Sequence, residues 1–442
     1  LPRSFEAGRR AVTGPPRDPP GYPRSYYAAT ANPHPEHPRL EGAAAADVCV
    51  IGGGFSGLSA ALHLAERGYD VMLLEGERIG WGASGRNGGQ VGSGLNKGVL
   101  ELEPALGRET TRALWNMAEE AKAILAERIE RHAIDCHYRR GNLLAATRER
   151  FLPELAAEAE HLAEYYGYDG QRMVGRDEIR AMVASNRYCG GRFDAGGGHV
   201  HPLNLALGLA AAAGGAGVRI HEHSPVHEIR WRDPAELETA AGSVRARYVL
   251  LCANAYLGRL EPRLVARMMP IGNHVLATEP LGEARAQALI RDDCCVHATK
   301  FVVDYYRLSA DHRLLFGGGE TYTERERPDL KRFVRHYMLK VFPQLADVRI
   351  DYAWSGQVGI TMSRLPHFAR LAPNGFSVQG FSGHGVALTQ LAGRLLAEAV
   401  AGTAERFDLF ASLKHHRFPG GTLLRKPALV AGMLYYALRD RL

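Results

Sequence analysis

Apolar positions along this chain recur with two different periods, and the switches between them mark its elements. From Asp47 to Ile51 the residues Val48, Cys49, Val50 and Ile51 make an unbroken apolar run of strand length. A glycine cluster follows, then Leu58 to Arg67 with helical apolar spacing, then a second short apolar run from Asp70 to Glu75. Strand, helix and strand in that order predict a βαβ unit and therefore a parallel sheet. The helical period returns from Glu109 to Arg131, with Leu114, Met117, Ala121, Ile124 and Ile129 on or near one face as predicted core residues. Further helices are predicted at Leu203–Ala213 and Val386–Val400. Val218–Ile229 and Tyr248–Ala253 read as more strands of the first sheet. Two excursions leave this pattern. The first ends at a predicted turn, Gly196-Gly197-Gly198; the second runs from Tyr256 to about Ile350 and contains predicted strands at Phe301–Leu308 and Arg313–Gly317. Leu1 to Ala46, broken by Pro15, Pro16, Pro33, Pro35 and Pro38, sustains neither helix nor central strand and predicts an extended arm on the surface.

Composition narrows the class. A chain of 442 residues is too long for one core, so two domains sharing a cleft are expected. The net charge of +6 is small for this length, and its arginines are interspersed with glutamates, which argues against nucleic acid as a partner. The longest apolar stretches, Leu205–Ala213 and Ala428–Leu438, fall short of the roughly 18 residues of a membrane helix, so no membrane partner is expected. Arg9-Arg10 is followed by polar, proline-rich sequence without the apolar core of an export signal. Cys49, Cys136, Cys189, Cys252, Cys294 and Cys295 form no CxxC pair and read as thiols in a reducing cytoplasm. His199 and His201 adjoin a proline turn with no cysteine or carboxylate at ligand spacing, so no metal site is expected. Oligomeric state is left between monomer and homodimer, and packing onto its own domain is the expected role of Leu429–Leu438.

The candidate chemistry starts at Gly52-Gly53-Gly54-Phe55-Ser56-Gly57, a Gly-x-Gly-x-x-Gly pattern that follows an apolar strand and opens a helix. The turn needs positive φ, side chains would hold the backbone off a pyrophosphate, and the helix N-terminus supplies amide donors. Gly52, Gly54, Phe55, Ser56 and Gly57 are therefore candidate dinucleotide contacts, with Glu75 at the second strand's end placed for the adenosine ribose. This pattern alone does not separate FAD from NAD. A second glycine-rich segment, Gly80 to Gln90, stands where a nicotinamide enzyme continues into its next βα unit; it implies backbone passing close to a large planar ligand. Downstream, Gly380-Phe381-Ser382-Gly383-His384-Gly385 precedes the apolar helix and offers another N-terminus, suited to the electron-rich edge of a flavin.

The nucleotide motif, the Gly82–Gly89 stretch, the strand Val249–Ala253 and the Gly-His-Gly loop resemble the D-amino-acid-oxidase-like flavoprotein family. Within it the chain looks most like the γ-glutamylputrescine oxidoreductases, from Ser25-Tyr26-Tyr27-Ala28-Ala29 onward. The shared segments include Ala83 to Gln90, Gly198 to Asn204, Asn254 to Gly258, Asp304 to Leu308, Asp351 to Trp354, Ser363 to Pro366 and Phe418 to Gly421. The resemblance implies an α/β fold, α+β overall: a Rossmann-like FAD domain around a parallel sheet and a substrate domain with an antiparallel sheet. On that plan residues 1–46 are the arm, 47–136, 196–256 and 351–415 the FAD domain, 137–195 and 257–350 the substrate domain, and 416–442 a tail. Implied cofactor contacts are the nucleotide loop and Glu75, then Gly82, Ala83, Ser84, Arg86, Asn87, Gly88, Gly89 and Gln90, Val226 and Ala253, and Gly380, Gly383, His384, Gly385 and Val386. Val358 and Gly359 stand where relatives carry a flavin-linking cysteine, and the early stretch has no histidine, so FAD is expected to be non-covalent.

The chemistry implied for the class is hydride transfer from the carbon beside an amine nitrogen to the flavin, giving an imine that hydrolyses to an aldehyde plus amine or ammonia, with hydrogen peroxide formed from O2. An ammonium has a pKa of roughly 10 and must first lose its proton. Tyr306 and His384 are the candidate catalytic residues. Tyr305, Tyr306, Arg307, Trp354 and Gln357 are the candidate substrate contacts; adjacent strand residues point to opposite faces, and Tyr306 is the one expected toward the flavin. No arginine stands around Gln357-Val358-Gly359, where amino-acid-oxidising relatives hold a carboxylate, leaving Arg307 and Arg364 as candidates for a remote one. The lysine used by sarcosine-oxidase-like enzymes to activate oxygen is also missing around Leu314-Leu315-Phe316, which leaves the electron acceptor open. Competing readings are oxidation of an N-substituted glycine or imino-diacid, an NAD-linked dehydrogenase, and a flavoprotein redox sensor without turnover.

Overall fold

The computed structural model describes residues 21–300, 302–321 and 327–418. The Arg9-Arg10 pair, Phe301 and the Leu429–Leu438 segment lie outside the described residues. Two sheets organise the rest. In the first, strand Gly42–Ile51 pairs in parallel with Val71–Leu74 on one side and Gly242–Leu251 on the other; Arg219–His221 and Gly375–Gln379 extend it, also in parallel. An antiparallel hairpin, Val226–Arg230 and Ala235–Thr239, takes the free edge of Gly242–Leu251 beyond the reach of Gly375–Gln379. His367–Ala372 closes the far edge antiparallel. Helices Phe55–Ala65, Arg108–Arg131, Pro202–Gly215 and Gly385–Val400 pack together over one face, where Leu58, Leu62, Leu114, Ala121, Leu205, Leu391 and Leu395 are buried. This is the expected βαβ-based layer.

The second sheet has nine strands, in the path Ile350–Ile360, Met269–Thr278, Leu314–Thr321, Tyr305–Leu308, Cys295–Ala298, Arg139–Ala146, Gly190–His199 and Gln90–Val91, with Gln171–Val174 on Gly190–His199. Its pairs are antiparallel except Cys295–Ala298 with Arg139–Ala146. Strand Ile350–Ile360 is hydrogen-bonded along its length to Met269–Thr278, so it belongs to this sheet although the sequence plan grouped residues from 351 with the first. Leu330–Val341 packs Val334 and Met338 behind the sheet in a separate core with Phe316, Tyr306 and Phe342.

Two local expectations change. Gly196–Gly198 is strand, not turn: a Cβ on Gly196 would stand 2.3 Å from the Tyr168 hydroxyl, and one on Gly198 2.3 Å from the Arg139 carbonyl oxygen, so close approach is what calls for glycine. The arm, from residue 21, is no surface appendage. Ser25 caps a one-turn helix, Tyr26–Ala29, whose Tyr27 is fully buried against Trp354 and His201. Tyr26 donates to Asp311 (2.7 Å) and Asn32 Nδ2 to the Asp135 carbonyl (2.7 Å), so the segment straps the two sheets together. Burying one such aromatic contributes about 2–3 kcal/mol, enough to hold a proline-broken segment that has no ladder of its own.

Candidate active site

Backbone builds the nucleotide end. Gly52, φ 110°, sits against Ala253 and the Cys252 carbonyl; a Cβ on Gly57 would lie 1.9 Å from the Gly52 carbonyl oxygen, and one on Gly54 2.9 Å from Ser84 Oγ. The Phe55 amide donates to that same Ser84 oxygen (3.0 Å), which joins the two glycine-rich segments. Glu75 accepts from the Gly53 amide (2.6 Å) and the Glu77 amide (2.9 Å), and its burial raises the carboxyl above the usual range. Each of its oxygens keeps a second lone pair for a hydroxyl. Val226 is on the edge hairpin, packed on the core beneath the first sheet and away from the cavity described next.

Between the sheets lies a cavity of about 540 Å³. Its floor holds Phe55, Ala83, Ser84, Arg86, Asn87, Gly88 and Gln90 from the early segments and Phe381 to Val386 from the late loop. Asn87 staples its own loop, donating to the Ala83 and Ser84 carbonyls and accepting from the Gly89 amide. Arg86 donates to the Trp81 carbonyl (2.7 Å) and stacks over the Trp81 ring, and Tyr256 fills the space that a Cβ on Gly82 would need. In the late loop Gly380 (φ 72°) and Gly383 (φ 89°) turn the chain into helix Gly385–Val400, and the Gly380 amide donates to Asn254 Oδ1. The His384 side chain does not cap that helix, and among the described residues its first-turn amides are available to an electron-rich partner.

The second sheet makes the roof. Tyr305 lies in the cavity wall with its ring between Gly88 and Gly317, and its hydroxyl donates to Asn273 Oδ1 (2.5 Å). Tyr306, favoured by the sequence reading, points the other way: it is 1% exposed, stacks on Phe316 and donates to the Tyr188 hydroxyl. Strand alternation was right and the choice of face was wrong. Arg307, buried, donates to the Gly88, Val200 and Leu308 carbonyls and the Tyr27 hydroxyl, which makes it a clamp on the glycine loop rather than a carboxylate receptor. Trp354 stands behind the wall, donating to the Arg86 carbonyl (2.9 Å), while Gln357 and Arg364 do line the cavity.

His384 and His297 both line the cavity; His384 Nε2 and His297 Nδ1 have no hydrogen-bond partner among the described residues. Burial pushes both imidazoles down, His297 to about 4 with a further push from His384, so both stay neutral at ordinary pH. Burial also raises Tyr305, which stays a phenol. Sequence reasoning missed His297, Asn273, Asn142, Arg192 and Asp194. Placing His297 required the unrecognised strand Cys295–Ala298 and its pairing with Tyr305. His199 and His201 serve the scaffold, bonded to the Asp293 carbonyl and to Thr30 with the Asn204 amide.

These features fit FAD: close-approach glycines, a ribose acceptor, and an uncapped helix end facing a cavity large enough for a planar ring system. Comparison with known proteins agrees. The family model described as DAO, FAD dependent oxidoreductase, matches residues 47–399. The chain is 48% identical over 419 residues to γ-glutamylputrescine oxidoreductase of Escherichia coli K12, covering 95% of this chain and 98% of that protein. It superposes on the crystal structure of glycine oxidase from Geobacillus kaustophilus with a TM-score of 0.72 at 24% identity, covering 84% of this chain and 99% of that one. Iminodiacetate oxidase from Chelativorans sp. BNC1 shares the fold, with a TM-score of 0.66 at 19% identity over 80% of this chain and 95% of that one. No described helix is long and apolar enough to cross a membrane. The chain belongs to the DAO family of FAD-dependent oxidoreductases.

Proposed function

We propose that this protein oxidises the amine end of a γ-glutamylputrescine-type substrate to an imine, which water hydrolyses to an aldehyde and ammonia, with molecular oxygen as the final acceptor. The observation that carries the reading is the pair of buried, neutral imidazoles, His297 and His384, which line the cavity together with Tyr305 and Gln357. FAD, when bound, supplies the hydride acceptor for the carbon beside the nitrogen. The residues' task is to receive the amine uncharged. Burial beside these two uncharged rings disfavours the ammonium, and the unpartnered nitrogens of His297 and His384 accept amine N–H groups, leaving the nitrogen lone pair free to expel hydride. The near full-length likeness to a γ-glutamylputrescine oxidoreductase supports the substrate class. Six free cysteines, five of them buried, support a cytoplasmic setting.

Anaerobic mixing of the yellow protein with γ-glutamylputrescine, putrescine, sarcosine and iminodiacetate tests this. Rapid bleaching of the visible flavin band by γ-glutamylputrescine is expected. Bleaching only by sarcosine or iminodiacetate would keep the family and remove the substrate.

A further inference from the structure

Strand register lays the roof of the cavity out in rows. Tyr305 pairs with His297, His297 with Leu144, and Leu144 with Arg192. In the next row Asn142 pairs with Asp194, and Asp194 with Gln171. All of these side chains line the cavity. Three strand spacings separate the Tyr305 strand from the Arg192 strand, roughly 14 Å.

The second row holds two amide oxygens without donors, on either side of a carboxylate. Asn142 is 5% exposed; its Nδ2 donates to the Val91 carbonyl (3.2 Å), which fixes the amide, and its Oδ1 has no partner among the described residues. Gln171 turns Nε2 toward Asp194 Oδ2 at 3.5 Å and leaves its Oε1 without a partner among the described residues. Asp194 is 8% exposed. Its Oδ1 accepts from the Tyr168 hydroxyl (2.5 Å) and the Gly196 amide (2.9 Å), but it forms no ion pair among the described residues. Lys122, which reaches Tyr168, is paired with Glu119 at 2.7 Å instead. A buried carboxylate without a cation is costly, and a carboxylate flanked by two bare amide oxygens is the complement of an ammonium with three N–H groups. On the adjoining row Arg192 is held at 2.9 Å by Glu158, so a fixed guanidinium stands next to the acceptors.

We propose that Asn142, Asp194 and Gln171 form a subsite for an ammonium at the substrate's remote end, with Arg192 taking the carboxylate beside it; the ligand class is an amine whose far end is an α-amino acid head. The proposal rests on the amine-oxidation reading and says how its γ-glutamyl end is held. About eight bonds separate the reacting carbon of γ-glutamylputrescine from its α-carbon, roughly 9–10 Å when extended, which spans the rows once the side chains reach inward. A simple diamine offers the same ammonium but nothing to Arg192.

The test is calorimetric titration of the FAD-loaded protein with γ-glutamylpropylamide, which has the head but no oxidisable amine, and with glutarylpropylamide, which lacks only the α-ammonium. Asp194→Asn, nearly isosteric, is expected to weaken γ-glutamylpropylamide by about 10–100-fold and to leave glutarylpropylamide unchanged, whereas Arg192→Gln weakens both. Equal loss of both ligands in Asp194→Asn, or loss of neither, overturns the subsite. If Asp194→Asn weakens putrescine as much as γ-glutamylpropylamide while Arg192→Gln affects neither, the row holds a diamine and the amino acid head is overturned. Failure of γ-glutamylputrescine to bleach the flavin with the calorimetric pattern intact removes the reaction reading alone; bleaching without that pattern removes the subsite alone.

Discussion

The two ends of the cavity are built from different materials. At the nucleotide end the decisive groups are main-chain atoms from short segments: Gly52 to Gly57, Ala83 to Gly89, and Gly380 to Gly385. At the substrate end they are side chains drawn one or two at a time from strands far apart in sequence, such as Asn142, Asp194, His297 and Tyr305. A backbone-built site fails when any Cβ intrudes and ignores most other changes. A side-chain-built site tolerates reshaping of its scaffold less visibly but depends on particular functional groups.

The sharpest way to break this contrast is Gly57→Val, whose Cβ would meet the Gly52 carbonyl at 1.9 Å. The variant is expected to purify colourless, with flavin content per protein reduced by at least about tenfold, since overpacking of 1–3 kcal/mol falls directly on the loop. Arg307→Met comes next. It strips donors from two buried carbonyls and one half-buried carbonyl and is expected to lower stability by about 3 kcal/mol or more, with loss of flavin as the Gly88 loop loosens, in denaturant titration. A substrate-specific KM change with normal flavin content would restore Arg307 as a ligand contact.

Acid sharpens the comparison. Burial lowers His297 to about 4, while an unfolded histidine titrates near 6.5, so below that value the unfolded chain binds the extra proton. The stability this group contributes is complete above about pH 6.5 and is lost as pH falls through 4, on the order of 3 kcal/mol. His201 and His367, both lowered to about 3, add to the slope in the same direction. Tm measured from pH 7 to 4 should fall steeply, and His297→Asn should flatten the curve by one proton. The smallest effects come from the tyrosine pair. Tyr306→Phe is expected to cost about 1 kcal/mol of stability through the lost bond to Tyr188, with flavin reduction by substrate unchanged. Tyr305→Phe should do the reverse, leaving Tm near the parent value and slowing reduction a few-fold. The opposite assignment would return Tyr306 to the cavity.

The same contrast explains what the sequence disclosed. A glycine loop after a strand is local: its residues are adjacent, and steric need restricts them to glycine, so Gly52 to Gly57 and Gly380 to Gly385 could be read directly. Tyr305 against Tyr306 could not, because alternation fixes that they face apart but not which face is the cavity. That depended on Gly317, on the neighbouring strand, and Gly88, in a loop far away in sequence, leaving room for one ring. Asp194 carried no signal, since its meaning comes from a register with Asn142 and Gln171 and from the commitment of Lys122 to Glu119 and of Arg192 to Glu158, and neither is written in its neighbours.

The buried arm carries a consequence for how the molecule is made. Tyr26 and Tyr27 are synthesised early, yet their partners come late: Asp311 follows Tyr26 by 285 residues, and Trp354 later still. At ribosomal speeds that interval is roughly 15–60 s, during which two aromatic side chains wait without the surfaces that will cover them. The first sheet's opening strand cannot find Gly242–Leu251 any sooner than those residues emerge. The segment around Tyr26 is therefore fastened only after Trp354 has emerged, and a bulky group fused shortly before Tyr26 would compete with that docking.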